Sequence, residues 1–262
     1  MSARDVLPSW LALPVAIAFL APAAHAQEFT VPTAAPAFAG DMLERGLPAH
    51  GGLSFTALHV RRPLGLTTRS LVGHAGPGVV RAALGFARTG DADLGWSTAA
   101  AALGLTGQDG GLALRAAVRR DDAAPPGEVA LGYELGGGAW VSACGMRGWV
   151  SAPQAWLSGA APPLARGLAA GLDFDAGDGV LGIAREAPRR GFSESAAWSG
   201  RVGLVIGGFS MWTEFRDHPW RGGVGMAAGA GPFHCAAQVD SHPVLETTTR
   251  IALALRSNAG SR

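Results

Sequence analysis

The chain has 262 residues, 48% of them hydrophobic and 16% charged, with a formal net charge of +1. So even a balance gives no electrostatic basis for nucleic acid binding, and the charged fraction falls below the ~25% usual in soluble domains. Two cysteines in a chain of this length rule out a disulfide scaffold.

Residues 1–26 read as a secretory signal. Arg4 supplies the positive start, and "WLALPVAIAFLAP" is an apolar stretch too short and too proline-broken for a spanning helix. Ala24, His25 and Ala26 give the small-x-small cleavage pattern, so the mature chain begins near Gln27. Residues 27–50 carry three prolines and no alternation. Beyond them no window reaches ~18 uncharged apolar residues, and helical periodicity is scarce. No CxxC, HExxH or close histidine pair occurs, so no metal and no cofactor is expected.

From residue 51 to 256 the pattern is period-two alternation punctuated by glycine-rich turns. Fourteen strands are predicted: 52–62, 66–74, 78–88, 94–107, 111–120, 127–135, 138–148, 164–175, 178–186, 196–206, 209–217, 220–229, 232–240 and 244–256. Loss of two of the first three would give twelve. Residues 257–262 form a tail. Each tight loop predicts a register. A loop at Asp109-Gly110 puts Leu105 opposite Leu114. A loop at Gly136-Gly137 puts Tyr133 opposite Trp140 and Leu131 opposite Ser142. A loop at Ala176-Gly177 puts Leu172 opposite Leu181 and Ala170 opposite Ile183. With Gly207-Gly208 in the loop, Ile206 opposes Phe209, Leu204 opposes Met211, Arg201 opposes Glu214 and Trp212 lies over Gly203. With Ala230-Gly231 in the loop, Ala228 opposes Phe233, Met226 opposes Cys235 and Arg221 opposes Asp240.

The segments between these hairpins, "RGWVSAPQAWLSGAAPP" among them, are longer, polar or proline-containing. Tight turns at one end and longer loops at the other is the asymmetry of a transmembrane barrel. The fold class expected is all-β: a closed antiparallel up-and-down barrel. A soluble β-sandwich or lipocalin-like barrel would show the same alternation with its faces reversed. Three features favour lipid outside. One face is nearly free of charge, as in Val80, Ala82, Leu84 and Phe86. The other is mostly Gly, Ala and Ser with sparse ions, unlike a soluble surface. Tyr133, Trp140, Trp149, Trp198 and Trp220 fall near strand ends, as aromatic girdles do. Cys144 and Cys235 are placed on one face of predicted strands as small apolar fillers.

The polar face supplies the lumen-lining candidates: Arg115, Arg119, Glu134, Arg147, Asp173, Arg201, Glu214, Arg216, Arg221, His234, Asp240, Glu246 and Arg250. In a pore they would set selectivity; as structure they would pair across strands. An enzyme would need a nucleophile with a base in reach, and Ser193 or Ser195 with His234, His218 or His242 are the candidates. "GFSES" lacks the second glycine of a nucleophile elbow, so no catalytic residues are assigned.

The final strand, "LETTTRIALAL" from Leu245 to Leu255, resembles that of the outer-membrane barrels grouping with long-chain fatty acid transporters and type IX secretion shuttle barrels, matching at Leu245, Thr248, Arg250, Ile251 and Leu253. Glu246 and Thr249 depart from that run, and the ending "RSNAGSR" lacks a terminal aromatic. The resemblance implies outer-membrane residence, contact with outer-membrane lipid and the barrel assembly machinery, and passive passage or binding of a small, even hydrophobic, molecule or an accessory role in export. It also implies that residues 27–50 could plug the lumen. A lipid-modifying barrel enzyme and a soluble periplasmic binding protein are the alternatives.

Overall fold

The computed structural model describes residues 53–61, 65–76, 79–90, 95–107, 109–122, 129–160, 166–188, 195–207, 209–218, 220–241 and 247–256. Residues 1–26, expected as a signal, the 27–50 segment, residues 257–262, expected as a tail, and Glu246 lie outside them. Alternation at period two folds as strand throughout: β1 (Ser54–Arg61), β2 (Thr67–Ala75), β3 (Val80–Gly90), β4 (Gly95–Thr106), β5 (Gly110–Asp121), β6 (Ala130–Ala143), β7 (Met146–Gly159), β8 (Arg166–Ala176), β9 (Gly179–Pro188), β10 (Ala197–Ile206), β11 (Phe209–Asp217), β12 (Trp220–Ala230), β13 (Phe233–Ser241) and β14 (Thr248–Arg256). Every strand pairs antiparallel with its sequence neighbours, and β14 closes on β1 with Ser54 opposite Arg256. The count is fourteen, not twelve. Strand lengths of 8 to 14 residues bracket the 9–11 that cross a bilayer at a tilt of about 45°.

The two faces carry opposite chemistry. On β5, Leu112, Leu114, Ala116 and Val118 are exposed, while Ala113, Arg115, Ala117 and Arg119 are buried. Leu84 and Phe233 are each 67% exposed, and Arg115 is 2% exposed. Away from the long-loop rim, apolar side chains therefore point outward and buried ions inward, which contradicts the soluble sandwich and the lipocalin-like barrel. Lipid offers no hydrogen bonds to an open sheet edge, so closure through β1 and β14 is what such an exterior requires.

The Gly207-Gly208 hairpin has the predicted register, with Leu204 opposite Met211 and Arg201 opposite Glu214. Three others slip by two residues. Leu105 faces Leu112, Leu172 faces Ile183, and Met226 faces Ala237. The last slip sets Gly223, not Arg221, against Asp240. A two-residue slip leaves every side chain on its own face, so alternation does not oppose it.

The β6–β7 hairpin departs further. Its strands run through Gly136-Gly137 and turn at Cys144-Gly145, where Cys144 takes the left-handed φ of 52°. Tyr133 therefore faces Ser158, not Trp140, Ser142 faces Arg147, not Leu131, and residues 147–159, expected as a connector, are strand. Pro153 is accommodated by a bulge: the register shifts between Leu135 and Gly137, setting Pro153, Gln154 and Ala155 against Gly136 alone. A Cβ at Gly136 would strike the Pro153 carbonyl, so the bulge needs glycine there. Both cysteines are free; Cys235 points outward from β13, and Cys144 sits in the turn rather than on a strand face.

Candidate functional site

Charged side chains of the inner wall gather in two clusters. The first lies on β5 to β7. Arg115 donates from Nη1 to Oε2 of Glu134 at 3.0 Å and to the Pro153 carbonyl at 3.2 Å. Gln154 Nε2 donates to Glu134 Oε1 at 2.6 Å, and Arg119 Nη1 stands 3.7 Å from the same oxygen. The bulge frees the proline carbonyl from the ladder and turns it toward the guanidinium. All four side chains are buried. One carboxylate thus answers two arginines, and Nε and Nη2 of Arg115 have no partner among the described residues.

The second cluster spans β9 to β14. Arg250 Nη2 lies 2.7 Å from Asp240 Oδ2, and Arg216 Nη2 lies 3.1 Å from Glu186 Oε2. Gln238 donates from Nε2 to Glu214 Oε2 at 3.0 Å and to Asp240 Oδ1 at 2.8 Å. Trp212 Nε1 donates to Gln238 Oε1 at 3.1 Å. The predicted register of Arg201 and Glu214 holds. The partner expected for Arg221, Asp240, instead pairs with Arg250; Arg221 stands at the rim, exposed. β6 and β13 are seven places apart in a ring of fourteen, so Glu134 stands on the wall opposite Gln238 and Asp240.

Elsewhere much of the inner wall is made of small residues. Ala227, Ala236 and Ala252 pack with Leu58 and Val60, and Trp212 lies against them. Ala83, Ala100, Ala102 and Ala117 form a like cluster with Val72. Toward the tight-turn end, Arg147 lies over the Trp140 ring at 5.4 Å and opposite Asp173. His234 packs against Gly229 near the β12–β13 turn.

The aromatic expectation needs correction. Trp140 is buried on the inner wall beside Trp149, covering Gly111 and Gly171 respectively, so neither belongs to a girdle. Tyr133, Trp198 and Trp220 do face outward near the long-loop end, joined there by Trp156 and Phe215; Phe55, Phe174, Phe209 and Phe233 ring the other end. In the lumen, Trp212 lies over Gly225 of β12 rather than Gly203.

The catalytic candidates do not converge as paired in the sequence. Ser195 precedes β10 at the long-loop end, whereas His234 begins β13 at the opposite end. His218 Nδ1 pairs with Asp217 at 3.2 Å in an exposed turn. Ser193 and His242 lie outside the described residues. Sequence reasoning passed over Gln154, Glu186 and the linking role of Gln238. The first two sat in segments expected to be loop or strand end, and an amide gives no signal until its neighbours are known.

No family model matches the chain, and no curated protein matches it. Solved structures do. The outer membrane protein Omp33 of Acinetobacter baumannii superposes with a TM-score of 0.52 at 11% identity, over 79% of this chain and 98% of that one. A triple mutant of the Rh. blastica porin gives 0.46 at 10% identity, over the same shares of the two chains. The likeness to Omp33 supports the barrel half of the sequence resemblance and does not confirm the fatty acid transporter or secretion shuttle group. The chain has the fold of an outer-membrane β-barrel.

Proposed function

We propose that the mature chain resides in the outer membrane, tight turns toward the periplasm, and passes or binds a small anionic or zwitterionic solute between its two charged walls. The observation that carries this is a pair of inner-wall arginines, Arg115 buried and Arg250 partly so, with donors to spare. Arg115 on β5 keeps Nε and Nη2 unpaired and Arg250 on β14 keeps Nε and Nη1 unpaired among the described residues, five strands apart round the ring. Guanidinium donors left without acceptors in a confined space favour a carboxylate or phosphate over a hydrophobic cargo. We read the chain as non-enzymatic. Planar-bilayer recording of the refolded barrel tests the proposal: conductance steps with a reversal potential favouring anions, lost when Arg115 and Arg250 are both changed to Gln, support it. A folded barrel that never conducts and retains no anionic solute would end it.

A second reading rests on how little of the wall is wet. Ala113 and Ala252 are each 1% exposed, which favours a narrow or filled lumen. Residues 27–50 lie outside the described residues; on this reading they enter the barrel, and their deletion raises conductance.

A further inference from the structure

Outside the lumen, the apolar belt is interrupted by a row of basic residues. His59, Arg69, Arg88, Ser97 and Arg120 are successive register partners from β1 to β5. His59 and the three arginines are exposed on the outer face near the long-loop end. Arg69 and Arg88 face each other directly across β2 and β3. Like charges so placed repel. Asp122 answers Arg120 at 2.7 Å and Arg88 only at 3.9 Å, and no carboxylate pairs with Arg69 among the described residues. The row therefore carries uncompensated positive charge where the protein meets its surroundings.

Directly below it, toward the tight turns, the outer surface is hollow. The next row reads Leu71, Phe86, Ala99, Val118 and Tyr133, and the one after it Gly73, Leu84, Ala101, Ala116, Leu135 and Trp156. Single-carbon side chains at Ala99, Ala101 and Ala116 sit low between tall neighbours on β3 and β6. The result is a depression of about 950 Å³ whose walls are almost wholly apolar. Tyr133 and Trp156 stand at its edge, the residue types that favour the headgroup boundary.

We propose that this is a binding site for a phosphate-bearing lipid of the leaflet on the long-loop side. The phosphate bridges Arg69 and Arg88, and an acyl chain descends into the trough over Ala99, Ala101 and Ala116. A free phosphate would satisfy the arginines but leave the trough without an occupant, and a neutral lipid would do the reverse. The vertical order of charge above trough matches one molecule that carries both. The site rests on the membrane reading made above, because only then does the trough meet acyl chains.

The test is native mass spectrometry of the full mature barrel, refolded in zwitterionic detergent and titrated separately with phosphatidic acid, diacylglycerol and inorganic phosphate. The expected result is a one-to-one phosphatidic acid adduct, held at least about tenfold more tightly than diacylglycerol. The Arg69→Gln, Arg88→Gln double variant should lose that preference. Ala101→Phe, which fills the trough, should weaken the adduct several-fold. Arg185→Gln removes another exposed arginine, beside Trp198 on β9, and should change nothing. The proposal is overturned if Arg185→Gln weakens binding as much as the double variant, since the effect would then be diffuse charge. It is also overturned if inorganic phosphate binds as tightly and Ala101→Phe is silent. A third adverse outcome is loss of a dimer mass in Ala101→Phe with lipid binding unaltered, which would make the trough an interface between copies. Heat-modifiable gel migration keeps the two readings apart: its absence in the wild type defeats membrane residence, whereas a folded barrel without lipid preference defeats the site alone.

Discussion

Trp212 of β11 reaches over Gly225 of β12 to hydrogen-bond Gln238 of β13, Nε1 to Oε1 at 3.1 Å. The bond skips a strand because the residue between has no side chain. Gln238 then donates to Glu214 and Asp240, so one bare position underlies a chain of four side chains. Gly225→Ala puts a methyl group into the indole ring and should cost about 1–3 kcal/mol, the usual range for overpacking. Urea unfolding of the refolded barrel, followed by tryptophan fluorescence, measures it. An unchanged midpoint would show that the ring moves aside freely and that the bond to Gln238 contributes little.

Glu134 is the single carboxylate between two buried arginines. Glu134→Ala leaves both guanidinium groups uncompensated, at a cost of about 3–5 kcal/mol. Adding Arg115→Met and Arg119→Met to that variant should recover much of the loss, because the penalty comes from stranded charge and not from missing volume. If the triple variant is no more stable than Glu134→Ala, the cluster's contribution lies in shape instead.

Two of the three sequence features that pointed to lipid outside rested on face chemistry, and the faces were legible. Leu114 and Leu253 alternate with small or ionic residues and point outward as read. Register was legible only where the turn was unambiguous, at Gly207-Gly208. Elsewhere a slip of two preserved every face, and only turn geometry decided. The β6–β7 hairpin was misread because three consecutive glycines looked like a turn and Pro153 looked like a loop. In the barrel Gly136 gives the bulged Pro153 room, and the left-handed backbone falls on Cys144, a residue that seldom adopts it. The arginines of the lumen could be named from alternation. That Arg115 would be met by a proline carbonyl could not, since no pattern announces a bulge opposite Gly136.

Ile183 sits midway along β9 with its side chain outward. Ile183→Arg places charge among acyl chains and should cost about 2–4 kcal/mol near the midplane. The folded fraction in lipid vesicles, read from heat-modifiable migration, reports it. Tolerance equal to that of Ser210→Arg, on the inner wall, would contradict an acyl-chain exterior.

The two cysteines give an independent probe. Both are exposed, but Cys144 lies in the tight turn and Cys235 on the outer face of β13. In vesicles a charged maleimide should modify Cys144 at least about tenfold faster than Cys235, because only the first thiol is open to a water-borne reagent. Mass analysis of the peptides reads the ratio. Equal rates would place β13 in an aqueous environment.

Ser54 and Arg256 are register partners, so the first and last strands of the wall begin and finish side by side on the rim that holds the tight turns. The seam between them is an ordinary hydrogen-bonded ladder, no different in kind from the thirteen others. Cutting the chain at the Cys144–Gly145 turn and stitching residue 256 to residue 54 with a short linker would therefore give a rearranged polypeptide with the same cylinder, its new ends emerging on the same side of the bilayer as the old.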